Sequence, residues 1–169
     1  YIHDLAMNPR LSIIIPCYNC ERTLREAVVS CYTQGLADDE FEIVMVDDGS
    51  KDTTRTLMEQ LAKEYPNIRL FFHEANRGGG AARNTGIKEA LGTLIFCLDS
   101  DNFFPPQTLR KMIDYIDHKQ CDGVVIYDRR FFVGTNTQKY TSHFNTILNR
   151  SLLLQDIFVT TNEAILIDN

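Results

Sequence analysis

The feature that most constrains this chain is an alternation of five short apolar runs with amphipathic segments between Leu11 and Tyr127. The runs Leu11 to Ile15 (stopped by Pro16), Phe41 to Val46, Ile68 to Phe72, Leu94 to Leu98 and Gly123 to Tyr127 have the length of buried strands. Between the first two, Leu24, Ala27, Val28, Cys31 and Tyr32 follow the i, i+3, i+4, i+7, i+8 spacing of one helix face. Leu57, Met58, Leu61 and Tyr65 form a second stripe closed by Pro66, and a third helix runs from a glycine-rich turn to about Leu91, ended by Gly92. Pro105 and Pro106 open a fourth helix, with Leu109, Met112, Ile113 and Ile116 on one face. Strand and helix in regular alternation predict βαβ units, hence an α/β fold with a mainly parallel sheet flanked by helices. Beyond Tyr127 the pattern predicts a short strand at Phe131 to Gly134, a helix at Phe144 to Leu154 and a last strand at Ala164 to Ile167.

The 169 residues make one domain, expected over residues 11–169 behind an N-terminal extension of residues 1–10. A formal net charge of −6 argues against non-specific nucleic-acid binding, which needs a basic surface. An anionic ligand must then be held by local cations, backbone dipoles or a bound metal ion. No run approaches the roughly 20 apolar residues of a membrane span, so no transmembrane segment is expected. The five cysteines are an odd number. Cys31, Cys97 and Cys121 sit inside apolar patterns as small hydrophobes, which fits a reduced, cytoplasmic setting.

In open α/β sheets, ligands bind outside the carboxyl ends of the strands, so the loops after each strand are where chemistry is sought. After the first strand stands Pro16-Cys17-Tyr18-Asn19-Cys20-Glu21, with none of the glycines of a dinucleotide-binding turn. Tyr18 offers a flat ring to a base, and Asn19 and Glu21 offer either base contacts or a helix cap. Cys17 and Cys20 also form a C-x-x-C at a strand-to-helix junction, the setting of a thiol–disulfide oxidoreductase. After the second strand, Asp47-Asp48-Gly49-Ser50 is followed by Asp52. Adjacent carboxylates ending an apolar strand are unfavourable unless solvated, paired or hydrogen-bonded, and capping accounts for only one of them.

The loop from Asn76 to Asn84 carries Gly78, Gly79 and Gly80, which let backbone approach a ligand at a helix start. Arg77 and Arg83 can pair with phosphate or with neighbouring acids. After the fourth strand comes Asp99-Ser100-Asp101-Asn102, whose two carboxylates at i and i+2 can turn toward one cation. Hard oxygen donors of this kind suit Mn²⁺ or Mg²⁺, with substrate phosphates completing the shell.

Taken together, Ser12-Ile-Ile-Ile-Pro-Cys-Tyr-Asn19, Val46-Asp-Asp-Gly-Ser50, Asn76-Arg-Gly, Ala82-Arg-Asn-Thr-Gly86 and Leu98-Asp-Ser-Asp101 resemble the family 2 glycosyltransferases over roughly Leu11 to Tyr127. The resemblance implies the GT-A fold, a Rossmann-like sheet. It implies that Tyr18 stacks on a nucleotide base, usually uracil, that Asp48 binds the base edge, and that Pro16, Glu21 and Asp47 line the same pocket. Asn19 and Gly79 stand in the matching loops. Arg83 is expected near the diphosphate or the acidic loops, Asp99 and Ser100 near ribose and sugar, and Asp101 on the metal, with Asp99 beside it. The implied reaction is transfer of a sugar, with inversion, from a nucleotide-diphosphate donor such as a UDP-sugar to an acceptor hydroxyl. The acceptor would be a glycan or lipid-linked chain in polysaccharide synthesis, in the cytoplasm or at the inner face of the membrane. A non-catalytic nucleotide-sugar-binding module is the other reading of a chain ending soon after its nucleotide half. The acceptor part is expected to be incomplete, Asp156 and Glu163 are the nearby acids, and no general base is assigned.

Overall fold

The computed structural model describes residues 8–119 and, as backbone strands, residues 123–128, 132–133, 137–138 and 143–149. The elements follow in the order β1 (Leu11–Cys17), α1 (Leu24–Cys31), β2 (Phe41–Asp47), α2 (Thr54–Glu64), β3 (Ile68–Phe72), α3 (Gly79–Glu89), β4 (Leu94–Cys97), α4 (Thr108–Lys119), β5 (Gly123–Asp128), β6 (Phe132–Val133), β7 (Thr137–Gln138) and β8 (His143–Asn149). Six strands form one sheet in the order β3-β2-β1-β4-β8-β5, and β6 and β7 pair separately. The four strands β3, β2, β1 and β4 are mutually parallel.

Alternation along the strands divides the core between two faces. Leu11, Ile13 and Ile15 of β1 with Phe41, Ile43 and Met45 of β2 pack against α1, α2 and α4 through Leu24, Val28, Met58, Leu61, Leu109 and Met112. The intervening Ile14, Val44 and Val46 face the opposite way and meet Ala82, Ile87 and Ala90 at α3. One helix covers that second face because the chain steps outward from β1 to β3, then crosses back past β1 to β4. Right-handed crossovers put helices of opposite travel on opposite faces. Gly86 makes the close passage of α3 possible, since a Cβ there would lie 2.3 Å from Ile14 Cγ2.

The reversal of strand order leaves a crevice between β1 and β4, the place where open α/β sheets bind ligands. Pro16 marks its opening. The strand expected to stop before this proline continues to Cys17. In a parallel ladder alternate residues address alternate neighbours, and Ile14 faces β4, accepting from Leu98 N at 2.9 Å. The β1–β4 register ends at Ile14 and Cys97, so the N–H that Pro16 lacks falls where β4 has already departed.

The helix expected over Phe144 to Leu154 is corrected: His143–Asn149 is a strand, antiparallel to both β4 and β5. Phe144, Thr146 and Leu148 also recur at a spacing of two, and the gap left between β4 and β5 rewards pairing on both edges. The short strand expected at Phe131 to Gly134 exists as Phe132–Val133. The expected strand at Ala164 to Ile167, together with Asp156, Glu163 and Cys121, lies outside the described residues. Of the expected extension, residues 8–10 are described, and Arg10 is tied into the domain through Asp117 at 2.5 Å and Thr93 at 3.1 Å. No helix among the described residues is long and apolar enough to cross a membrane.

Candidate functional site

The loops after β1, β2, β3 and β4 are fastened to one another at the carboxyl rim. The first two are laced together by side chains that bridge between loops. Asn19, held at φ 49°, donates its backbone N–H to Ser50 Oγ at 3.0 Å, and its Oδ1 accepts from Lys51 N at 2.8 Å. Glu21 Oε2 accepts from Thr53 N at 2.9 Å and Thr53 Oγ1 at 2.5 Å, and these bonds hold its carboxyl below the usual range. As a cap, Glu21 meets the start of α2, across the rim, rather than that of its own helix α1. Tyr18, next to the anchored Asn19, is 46% exposed, and Pro16 is half-buried.

The two acids ending β2 are not free. Asp47 is fully buried and ion-paired with Arg55 at 2.7 Å, while its Oδ1 accepts from Ser50 N at 3.2 Å. Asp48 accepts from His73 Nδ1 at 2.6 Å, from Arg77 N at 3.0 and 3.1 Å, and from Gly78 N at 2.7 Å. A carboxylate offers about four lone-pair positions, so this set occupies Asp48, and a base edge reaches it only by displacing one donor. Gly49 is what lets the two loops approach: at φ +75°, a Cβ on it would sit 2.7 Å from Asn76 N.

Past the Asn76–Gly78 turn, α3 carries Arg83, which pairs with Asp99 of the loop after β4. Gly79 keeps room for that guanidinium, since its Cβ would lie 3.3 Å from Arg83 Nη1. Asn102 N donates to Asp99 O at 2.9 Å, closing the turn that carries both carboxylates outward. Asp99 is 46% exposed. Asp101 is exposed and takes part in no hydrogen bond or ion pair among the described residues.

The circuit closes at Cys20. Its N–H donates to Thr54 Oγ1 at 2.8 Å, and its sulfur is approached by Cys17, by Ser100 and by the Thr54 hydroxyl at 3.9 Å. The Cys17 thiol holds Cys20 down to about 7, helped by Ser100 and Thr54 against burial, and Cys17 is itself pushed well up by the same contact and by burial. Thiol–disulfide exchange needs a partner disulfide to reach a sulfur, and Cys17 is 1% and Cys20 8% exposed. In this structure the pair serves as a junction between three loops. Cys31 is buried as expected, its thiol pushed up by that burial, whereas Cys97 is only half-buried.

The described residues bring no three His, Cys, Asp or Glu side chains together as a metal cage. Asp99 and Asp101 nonetheless fit a hard divalent cation by their chemistry: both are carboxylates on one turn, Asp101 exposed and Asp99 half-exposed beside Arg83, of the kind that binds such an ion jointly with phosphate and water. The sequence reading gives no part to Arg55, His73 or Thr85. His73 was findable, since it is the first residue after β3, the topological position searched after the other strands. Arg55 and Thr85 lie inside helices, and only packing aims them at the rim.

The family model described as glycosyl transferase family 2 matches residues 12–168. Among similar proteins is the uncharacterized glycosyltransferase EpsJ of Bacillus subtilis, 38% identical over 75% of this chain and 38% of its own length. Another is the poly(ribitol-phosphate) beta-N-acetylglucosaminyltransferase TarS of Staphylococcus aureus, 34% identical over 69% of this chain and 20% of its own. The crystal structure of TarS 1-349 in complex with UDP-GlcNAc superposes with a TM-score of 0.75 at 27% identity, covering 89% of this chain and 47% of that one. The chain thus spans less than half the length of these relatives.

Proposed function

The chain belongs to glycosyl transferase family 2, and from that premise we propose that it forms the donor-binding half of a metal-dependent, inverting glycosyltransferase using a UDP-sugar. The observation that carries this reading is the convergence of four fastened loops on the switch-point crevice, with Tyr18 and the Asp99–Asp101 turn left open on it. Tyr18 stacks on the base, and Pro16 and the Asn19–Glu21 loop form the wall behind it. Asp48 stands where the base edge falls, and Asp47 lines the same pocket while tied to α2 through Arg55. Arg83 answers the diphosphate charge and orients Asp99, while Asp99 and Ser100 meet ribose and sugar.

Asp101 and Asp99 would hold Mn²⁺ or Mg²⁺, which when bound offsets the negative charge developing on the leaving diphosphate. Pre-organised groups of this kind act where charge develops, which is where they lower a barrier most. Inversion also needs a base for the acceptor proton, and that group belongs to the acceptor side. The TarS complex with UDP-GlcNAc supports a UDP-sugar donor, and the poly(ribitol-phosphate) in the name of TarS supports a glycan or lipid-linked acceptor. The free thiols support a reducing, cytoplasmic setting, at the inner face of the membrane where such acceptors are built.

The test is thermal unfolding with UDP, with and without Mn²⁺. UDP is expected to raise the midpoint in a Mn²⁺-dependent manner, and Asp101→Ala to remove the metal's contribution. No shift in the wild-type protein would remove the proposal.

A further inference from the structure

His73 follows directly on β3 with its side chain 7% exposed, and nothing in the proposed donor site requires a histidine there. Its two ring nitrogens are nevertheless both engaged. Nδ1 lies 2.6 Å from Asp48 Oδ1, and Nε2 lies 2.9 Å from Thr85 Oγ1 on α3. Asp48 accepts from its other neighbours, the N–H groups of Arg77 and Gly78, so Nδ1 meets it as a donor. In the neutral ring Nε2 then accepts from the Thr85 hydroxyl, which can rotate to suit.

This places one buried imidazole between the residue that fastens the turn before α3 and the helix itself. The turn has few other ties: among the described residues, the backbone N–H groups of Arg77 and Gly78 bond only to Asp48 and, for Gly78, to Asn76 Oδ1 at 3.0 Å. Two helical residues before Thr85 is Arg83, the partner of Asp99. We infer that His73 is a positioning residue for donor binding, setting the Asp48 carboxylate so that the Arg77–Gly78 turn, the start of α3 and through Arg83 the Asp99–Asp101 turn keep one arrangement.

The inference rests on the donor-site reading and extends it to residues that touch no ligand themselves. Its physical content is pre-organisation. A turn that samples several arrangements binds with an apparent affinity reduced by the fraction in the competent one. His73→Leu removes the donor to Asp48 and the acceptor for Thr85. His73→Asn retains an N–H close to the Nδ1 position.

The experiment is calorimetric titration of the protein with UDP in the presence of Mn²⁺, alongside amide hydrogen exchange of the unliganded variants. His73→Leu is expected to weaken UDP by about tenfold, as loss of a hydrogen bond to a charged group does, with exchange accelerated at Arg77 and Gly78. His73→Asn is expected to recover affinity to within about threefold of wild type. Should His73→Leu not fold, Thr85→Val, near in shape and lacking the hydroxyl, carries the test with an expected loss of about threefold. Wild-type UDP affinity in His73→Leu, or in Thr85→Val when that variant carries the test, overturns the inference while leaving the donor site standing, as does an Asn variant no better than Leu. A wild-type protein that binds no UDP overturns the donor reading, and this inference with it.

Discussion

Asp47 and Asp48 end one strand and Asp99 and Asp101 follow another, at the same rim of the same sheet, yet the two pairs have opposite surroundings. Asp47 is wholly withdrawn from solvent and held by Arg55, and Asp48 is occupied by His73 and two backbone N–H groups. Asp99 is 46% exposed with one arginine partner, and Asp101 is exposed. The first pair is bound up within the protein's own loops, whereas the second stands at the surface of the rim. Clustered acids therefore do not share a role because they share a motif; the donors that reach each carboxyl decide it.

The comparison can be broken in several ways. The largest effect is expected from Asp48→Ala, which leaves the buried His73 donor and the part-buried N–H groups of Arg77 and Gly78 without their acceptor. Its stability in urea should fall by about 3 kcal/mol, the scale of unpairing buried groups around a charge. An unchanged urea midpoint would mean that Asp48 is no clasp. Asp101→Ala should do the reverse, with stability within about 0.5 kcal/mol of wild type, as for an exposed site. Sugar-transfer or donor-hydrolysis rates should fall about a hundredfold, the scale of losing one pre-organised electrostatic group. A destabilised Asp101 variant would erase the distinction between the pairs.

Tyr18→Ala sharpens the comparison from the base side, since stacking a base on an aromatic ring contributes about 1–3 kcal/mol. UDP should bind about tenfold more weakly, read by titration, with little change in the metal dependence. The smallest effect concerns Cys20, which touches Thr54 beside the first acid pair and Ser100 between the members of the second. With its thiol lowered to about 7, its slow alkylation by iodoacetamide should rise with pH through a midpoint near that value. The midpoint should move up in Cys17→Ala, because the Cys17 contact is the leading cause of the lowering. Bound UDP should slow the reaction if the two loops close on the ligand together.

Much of the fold was legible. The three helical stripes name faces that pack inward in the structure: Leu109, Met112, Ile113 and Ile116 of α4 are all buried. Periodicity works there because a helix or strand buries one side and the sequence records which. Residues 143–149 were misread because a strand inserted antiparallel between two others takes its identity from long-range pairing, and the apolar run alone fits either element. In the site, the polar loops were found from position after each strand, whereas Arg55 and Thr85 were not, since their aim depends on how α2 and α3 pack.

What the sequence determined by itself is the order of elements from β1 to β5, the residues that follow those strands and the chemical kinds of group offered there, because these follow from short-range periodicity and turn chemistry. Only the tertiary structure decided which acids are sequestered and which stay open, that Glu21 meets the start of α2, and that the C-x-x-C is a buried junction. Those outcomes depend on which N–H groups and cations reach a side chain from elsewhere in the sequence, such as Gly78 N on Asp48, 30 residues away. Local pattern carries no record of distances that arise only when the strands have paired.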